Sequence, residues 1–182
     1  SDSKGLDETQ VQKLLELTRH PKCVAVGEIG LDYHYEDTDR DAQARALRLQ
    51  LELVRQADLP VVFHLRDAYG DFDAQVVPYL KKLPRGAVLH CYSGSKEFAL
   101  QYVRRDFYFS FTGSITFKNN RTAAEVLPIV PRERLLVETD CPYLTPEPHR
   151  GTLNYPAYVR FVAEKAAALR GETIEDLTAY TT

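Results

Sequence analysis

The sequence predicts an α/β fold of the TIM-like (β/α)8 barrel class, and two observations carry that expectation. Short apolar runs alternate with longer amphipathic stretches along the chain, the pattern of right-handed βαβ units around a parallel sheet. Four of these runs close on a residue type that binds metal: Val26-Gly27-Glu28, Val62-Phe63-His64, Val88-Leu89-His90 and Val137-Glu138-Thr139-Asp140. Alternation alone also fits an open doubly wound sheet. The carboxyl ends of barrel strands converge on one face, whereas an open sheet spreads them along a front. Four donors ending four strands favour the closed arrangement.

The elements follow in order. Val11, Leu14, Leu15 and Leu17 make an apolar stripe that predicts a helix over Asp7–Arg19, with Asp7 as N-cap. Cys23–Gly27 is too short and apolar for anything but a strand. A helix over Asp39–Ala57 carries Leu47, Leu51 and Val54 on one face, and Leu59–Phe63 is the next strand. Helix is expected at Asp71–Lys82, strand at Ala87–Leu89, helix at Lys96–Arg105 and strand at Phe107–Phe111. Helix at Arg121–Val130, strand at Leu135–Val137 and helix at Pro156–Arg170 complete the series. The stretch from Ile174 reads as one more helix, cut short at Thr181-Thr182. With no repeat or linker inside, residues 1–182 are expected to form a single domain.

Composition narrows the function. With 182 residues, 44% hydrophobic and 27% charged, the chain is globular. It has no apolar run near the roughly 20 residues of a membrane span and no signal-peptide pattern. Three cysteines without paired spacing suit a reducing, cytoplasmic setting. The absence of any Met suggests that the chain begins after the native start. A net charge of −3 excludes a broad basic surface for nucleic acid. Any attraction to a phosphodiester must then come from local charges, bound cations above all.

Two histidines and two carboxylates, Glu28, His64, His90 and Asp140, suit Zn²⁺, Mn²⁺ or a related divalent ion. Strand parity puts His64 on the face of Val62 and His90 on that of Val88, so each His continues the face of a core residue. Each donor also has an ordinary alternative. A strand-end His is often a hydrogen-bonded core residue, Glu28 can cap a bend marked by Gly27 and Gly30, and Asp140 before Cys141-Pro142 can be a turn carboxylate. Arg66 shares the parity of His64 and can face a phosphate, or pair with Asp67 or Asp71. Glu138, one layer below Asp140, is placed to orient a ligand His. Arg150 and Asn154, in a proline-rich loop, are substrate-contact candidates, with plain loop packing as the alternative. Ser93-Gly94 can offer amides to an anion or cap a helix. His20 and His149 look like surface residues. Cys91 follows His90 directly, so on a strand their side chains diverge and it is not that residue's partner.

At these residues the sequence resembles the TatD family of metal-dependent deoxyribonucleases and hydrolases. The matching segments are Gly27-Glu28-Ile29-Gly30-Leu31-Asp32-Tyr33, Val62-Phe63-His64-Leu65-Arg66-Asp67, Leu89-His90-Cys91-Tyr92-Ser93-Gly94 and Glu138-Thr139-Asp140-Cys141-Pro142-Tyr143-Leu144. Phe111–Phe117 and the Arg150-Gly151, Asn154 and Pro156 spacing match too. The resemblance implies a barrel of the amidohydrolase superfamily with two divalent ions. Glu28 would bridge them, His64 and His90 would hold one, and Asp140 would hold the other and orient or deprotonate the attacking water. The family's first strand carries a His-x-His pair that this chain lacks. Five strands in place of eight, with about 250 residues usual for such a barrel, agree with about two strands missing at the N-terminus.

The expected function is phosphodiester hydrolysis in DNA by a water that two metal ions (Zn, Mg or Mn) activate. The alternatives are amide or ester hydrolysis, as in a deacylase for nucleic-acid esters, and a truncated barrel without turnover. Open barrel edges would favour self-association.

Overall fold

The computed structural model describes residues 5–83 and 85–181, and its contacts separate two units, Ser1–Leu89 and His90–Thr182. Thr182, half of the pair at which the last helix was expected to break off, lies outside the described residues.

In the first unit, Asp7 caps helix α1 (Glu8–Leu17) through a capping box with Gln10. The expected stripe does not become core. Val11 is buried, but Leu14 is 40% and Leu17 68% exposed. Strand β1 (Val26–Asp32) runs later than expected, because Gly27 and Gly30 lie within it and mark no bend. A Cβ on Gly27 would stand 2.7 Å from that of Val62, and one on Gly30 only 1.8 Å from the His64 carbonyl oxygen. The two glycines let β1 lie close against β2 (Val61–Arg66), its parallel partner. Pro60 can give no amide to a ladder, so β2 starts after it.

Between these strands, helix α2 (Arg40–Ala57) is capped by Asp39 and buries Ala46, Leu47, Leu51 and Val54. Helix α3 (Tyr69–Val76) is shorter than expected, since Pro78 turns the chain into a 3-10 helix over Val77–Lys82. Strand β3 (Ala87–His90) follows, its approach joined to β2 where the Val61 amide donates to Gly86.

Strand parity holds, but the buried face is the other one. Val61, Phe63 and Leu65 are the buried residues of β2, with Phe63 edge-on to Phe72 of α3 at 5.0 Å. Val62, His64 and Arg66 share the half-buried face. Val88 is likewise half-buried between Ala87 and Leu89. Helix α2 packs on β1 and α3 on β2.

In the second unit, Ser95 caps helix α4 (Lys96–Val103), a role expected two residues earlier at Ser93. Strand β4 (Tyr108–Phe111) pairs in parallel with β5 (Leu135–Val137). Between them, α5 (Thr122–Val126) stops early at Pro128 and tightens into a 3-10 turn. Helix α6 (Val159–Arg170) ends at Gly171 in the left-handed conformation, followed by α7 (Ile174–Thr181). Tyr102, Phe109, Phe111, Leu127, Val162, Ala166 and Leu177 form this unit's core.

Candidate functional site

The expectation that all four donors end strands needs correction. Only His90 does. Glu28 sits inside β1, where the register with β2 breaks between Val26 and Ile29. Such an irregularity re-aims a side chain, and Glu28 is exposed. His64 is the fourth of six residues in β2. Asp140 follows β5 by three residues and has φ 54.

Each unit builds a carboxylate–histidine couple. In the first, His64 Nε2 lies 3.1 Å from Asp32 Oδ2, while His64 Nδ1 stands 3.7 Å from Glu28 Oε2. Burial alone would raise the Asp32 carboxyl, but the His34 amide, the His64 ring and the charge of Arg66 outweigh it and hold it below its ordinary value. An ionised Asp32 only accepts, so the proton belongs on Nε2. Nδ1 then presents a lone pair opposite the Glu28 carboxylate. The His64 ring and the Glu28 carboxylate are donor types that could hold a divalent cation. Glu28, Asp32 and His64, together with Gln10, Gln43 and Gln50, line an open cavity of about 530 Å³.

The second unit repeats the arrangement. His90 Nδ1 lies 2.7 Å from Glu138 Oε2, and His90 Nε2 is 3.7 Å from Asp140 Oδ1. Glu138 Oε1 accepts the Cys91 amide at 2.9 Å and also the Ser110 hydroxyl. Burial pushes the Glu138 carboxyl up, but the His90 ring, Ser110 and Cys91 together hold it below its ordinary value. Nδ1 therefore donates, and the lone pair is on Nε2.

The other predicted residues fall in distinct places. Arg66 is half-buried near Asp32; the partners expected for it are engaged elsewhere, Asp67 by His34 and Asp71 by the Tyr33 hydroxyl. Asn154 is 3% exposed and donates to the carbonyls of Thr139 and Tyr143, so it fastens the loop that carries Asp140. Arg150 is exposed and stacks on Phe117 at 3.7 Å. His149 is no simple surface residue, since its ring lies flat on Tyr158 at 4.5 Å. Cys91 lies beyond β3 with φ 46, and its Sγ approaches the Thr112 hydroxyl at 3.2 Å. Among the described residues, Cys23, Cys91 and Cys141 form no disulfide. Among the described residues no helix is long and apolar enough to cross a membrane.

The TatD related DNase family model matches residues 2–182. The chain belongs to this family. It is 42% identical over 184 residues to the uncharacterized metal-dependent hydrolase YabD of Bacillus subtilis strain 168, covering all of this chain and 71% of that protein. It is 40% identical to the corresponding hydrolase YcfH of Escherichia coli K12, over 97% of this chain and 66% of YcfH. Identity is 37% to the 3'-5' ssDNA/RNA exonuclease TatD of Escherichia fergusonii, over 99% and 71%. The crystal structure of YJJV, a TatD homolog from E. coli K12, superposes with TM-score 0.87 at 29% identity, covering 96% of this chain and 68% of YJJV. The chain thus spans about two thirds of the length of these proteins. The TIM-like barrel class and the metal-dependent hydrolase class read from the sequence are those of the TatD family.

Two residues that tie the couples, Asp32 and Ser110, are not among the candidates that the sequence singles out. Asp32 was visible only as a motif letter, although its parity with Glu28 along β1 was a usable signal. Ser110 is a lone hydroxyl between Phe109 and Phe111, and a polar group in a buried run calls for a partner.

Proposed function

We propose that this TatD-family chain hydrolyses phosphodiester bonds of DNA with two divalent cations, working as one hydrolase domain over 1–182 in a cytoplasmic setting. The observation that carries the reading is the repeated couple, in which an ionised carboxylate holds one nitrogen of His64 or His90 and leaves the other opposite a second carboxylate. Glu28, His64 and His90 would hold one ion, and Asp140, with Glu28 as bridge, the other. Ions of the Zn²⁺, Mn²⁺ or Mg²⁺ class supply positive charge for the phosphate and lower the pKa of a water. That local charge is needed on a chain of net charge −3.

The protein's own groups do the rest. Asp140 accepts the proton of the attacking water. Asp32 and Glu138 keep the two histidines in the tautomers that bind. Arg66 and Arg150 offset charge on the phosphodiester, and Asn154 keeps the Asp140 loop in shape. The 3'-5' exonuclease named among the relatives supports a nucleic-acid substrate.

The test offers single-stranded DNA and an aminoacyl ester to the protein with added Mg²⁺, Mn²⁺ or Zn²⁺. DNA should be cleaved, and Asp140→Asn should slow cleavage by about a hundredfold or more. Ester turnover with intact DNA would move the activity to the amide or ester class. No turnover of either would leave a metal-binding barrel without catalysis.

A further inference from the structure

We infer that Gln43 is a positioning residue for His64, acting through Asp32; the inference rests on the metal-binding reading of His64. The Gln43 carboxamide clamps the backbone of Asp32 at both ends. Its Oε1 accepts the Asp32 amide at 2.8 Å, and its Nε2 donates to the Asp32 carbonyl at 2.7 Å. A carboxamide has the donor and acceptor of a peptide group, so the side chain pairs with the end of β1 as a neighbouring strand would. Asp32 is the last residue of β1, and its own carboxylate holds His64 Nε2 with one oxygen and the His34 amide with the other.

The couple around His90 has its anchoring carboxylate tied by a buried serine and an amide. Asp32 has fewer such ties. Strand pairing places Asp32 beside Arg66, and its outward peptide groups are met by Gln43. Losing the clamp frees the end of β1 to shift, and the His64–Asp32 bond is the first contact downstream. Without it the imidazole proton is no longer confined to Nε2, and the lone pair offered from Nδ1 is diluted.

Gln50 lies two helical turns further along α2 and lines the same cavity, so it serves as the control. Gln43→Met removes both bonds at similar volume, and Gln43→Glu keeps only the acceptor for the Asp32 amide. Calorimetric titration with Mn²⁺ should show about tenfold weaker binding in Gln43→Met, a smaller loss in Gln43→Glu, and wild-type affinity in Gln50→Met. Long-range ¹H–¹⁵N spectra of the metal-free protein, with His64 assigned by His64→Gln, should show one tautomer in wild type and a mixture in Gln43→Met. Wild-type affinity together with a single tautomer in Gln43→Met would overturn the role. If Gln43→Met melts below the measuring temperature, Gln43→Glu carries both readouts by the same criteria. A wild-type protein that takes up no Mn²⁺ would end the metal reading, and the metal-free spectra would still decide the role of Gln43.

Discussion

The two histidine couples follow one plan, with one histidine buried and the other half-exposed. His90 is 7% exposed, and Glu138 beside it gathers three donors from a strand end, a turn and a neighbouring strand. His64 is 35% exposed, while the two carboxylates are alike at 24% for Asp32 and 26% for Glu138, and the ties on Asp32 come mostly from its own turn and from one helix side chain. A buried couple is expensive to break, because every donor it satisfies loses its partner in a low dielectric. A wetter couple can recruit water and costs less to disturb. The same carboxylate–histidine couple is thus tied by more donors in the second unit than in the first.

That contrast is breakable in graded steps. The largest effect is expected from Gly30→Ala, since a Cβ would meet the His64 carbonyl at 1.8 Å in a backbone of φ +153. Urea unfolding should show a loss of about 3 kcal/mol or more, and a loss under 1 kcal/mol would mean that β1 and β2 can separate at little cost. Next comes a pair. Glu138→Leu should destabilise by about 2–4 kcal/mol, by stranding the donors of His90, Ser110 and Cys91. Asp32→Asn should cost under about 1 kcal/mol in stability but weaken metal binding about ten- to a hundredfold. Equal stability losses in the two would erase the distinction between them.

The smallest effect is the response to acid. Both carboxyls lie below their ordinary values of 4.5 for Glu138 and 3.8 for Asp32. Their stabilising contributions are present above those values and are lost as pH falls through the lower folded ones. Metal-free protein should therefore lose Tm between pH 5 and pH 3. Glu138→Gln should flatten that fall, starting from its upper end. A wild-type Tm independent of pH over this window would contradict both assignments.

Much of the site was legible because motif letters and strand parity are local. His64 shares the face of Val62 and Arg66 that the period of two assigns, although that face is the half-buried one, and the bounds of β5 agree to the residue. The boundaries of β1 and β2 were not. Gly27 and Gly30 look like turn residues in isolation, and only the approach of Val62 and the His64 carbonyl explains them as strand residues. The apolar stripe of α1 was real as a pattern, yet Leu14 and Leu17 remain exposed, because periodicity shows that a face is apolar and not what covers it. Asn154 was read as a substrate contact, while its amide is spent on Thr139 and Tyr143.

By itself, then, the sequence determined the alternation of strands and helices, the family, and the donor types for a divalent cation. Those depend on residue identity and on periods of 2 and 3.6, which a chain carries locally. Only tertiary structure decided which nitrogen of each histidine is held, by Asp32 through β1–β2 pairing and by Glu138 across 48 residues of chain. That choice is set by contacts between residues remote in sequence, which no local period encodes.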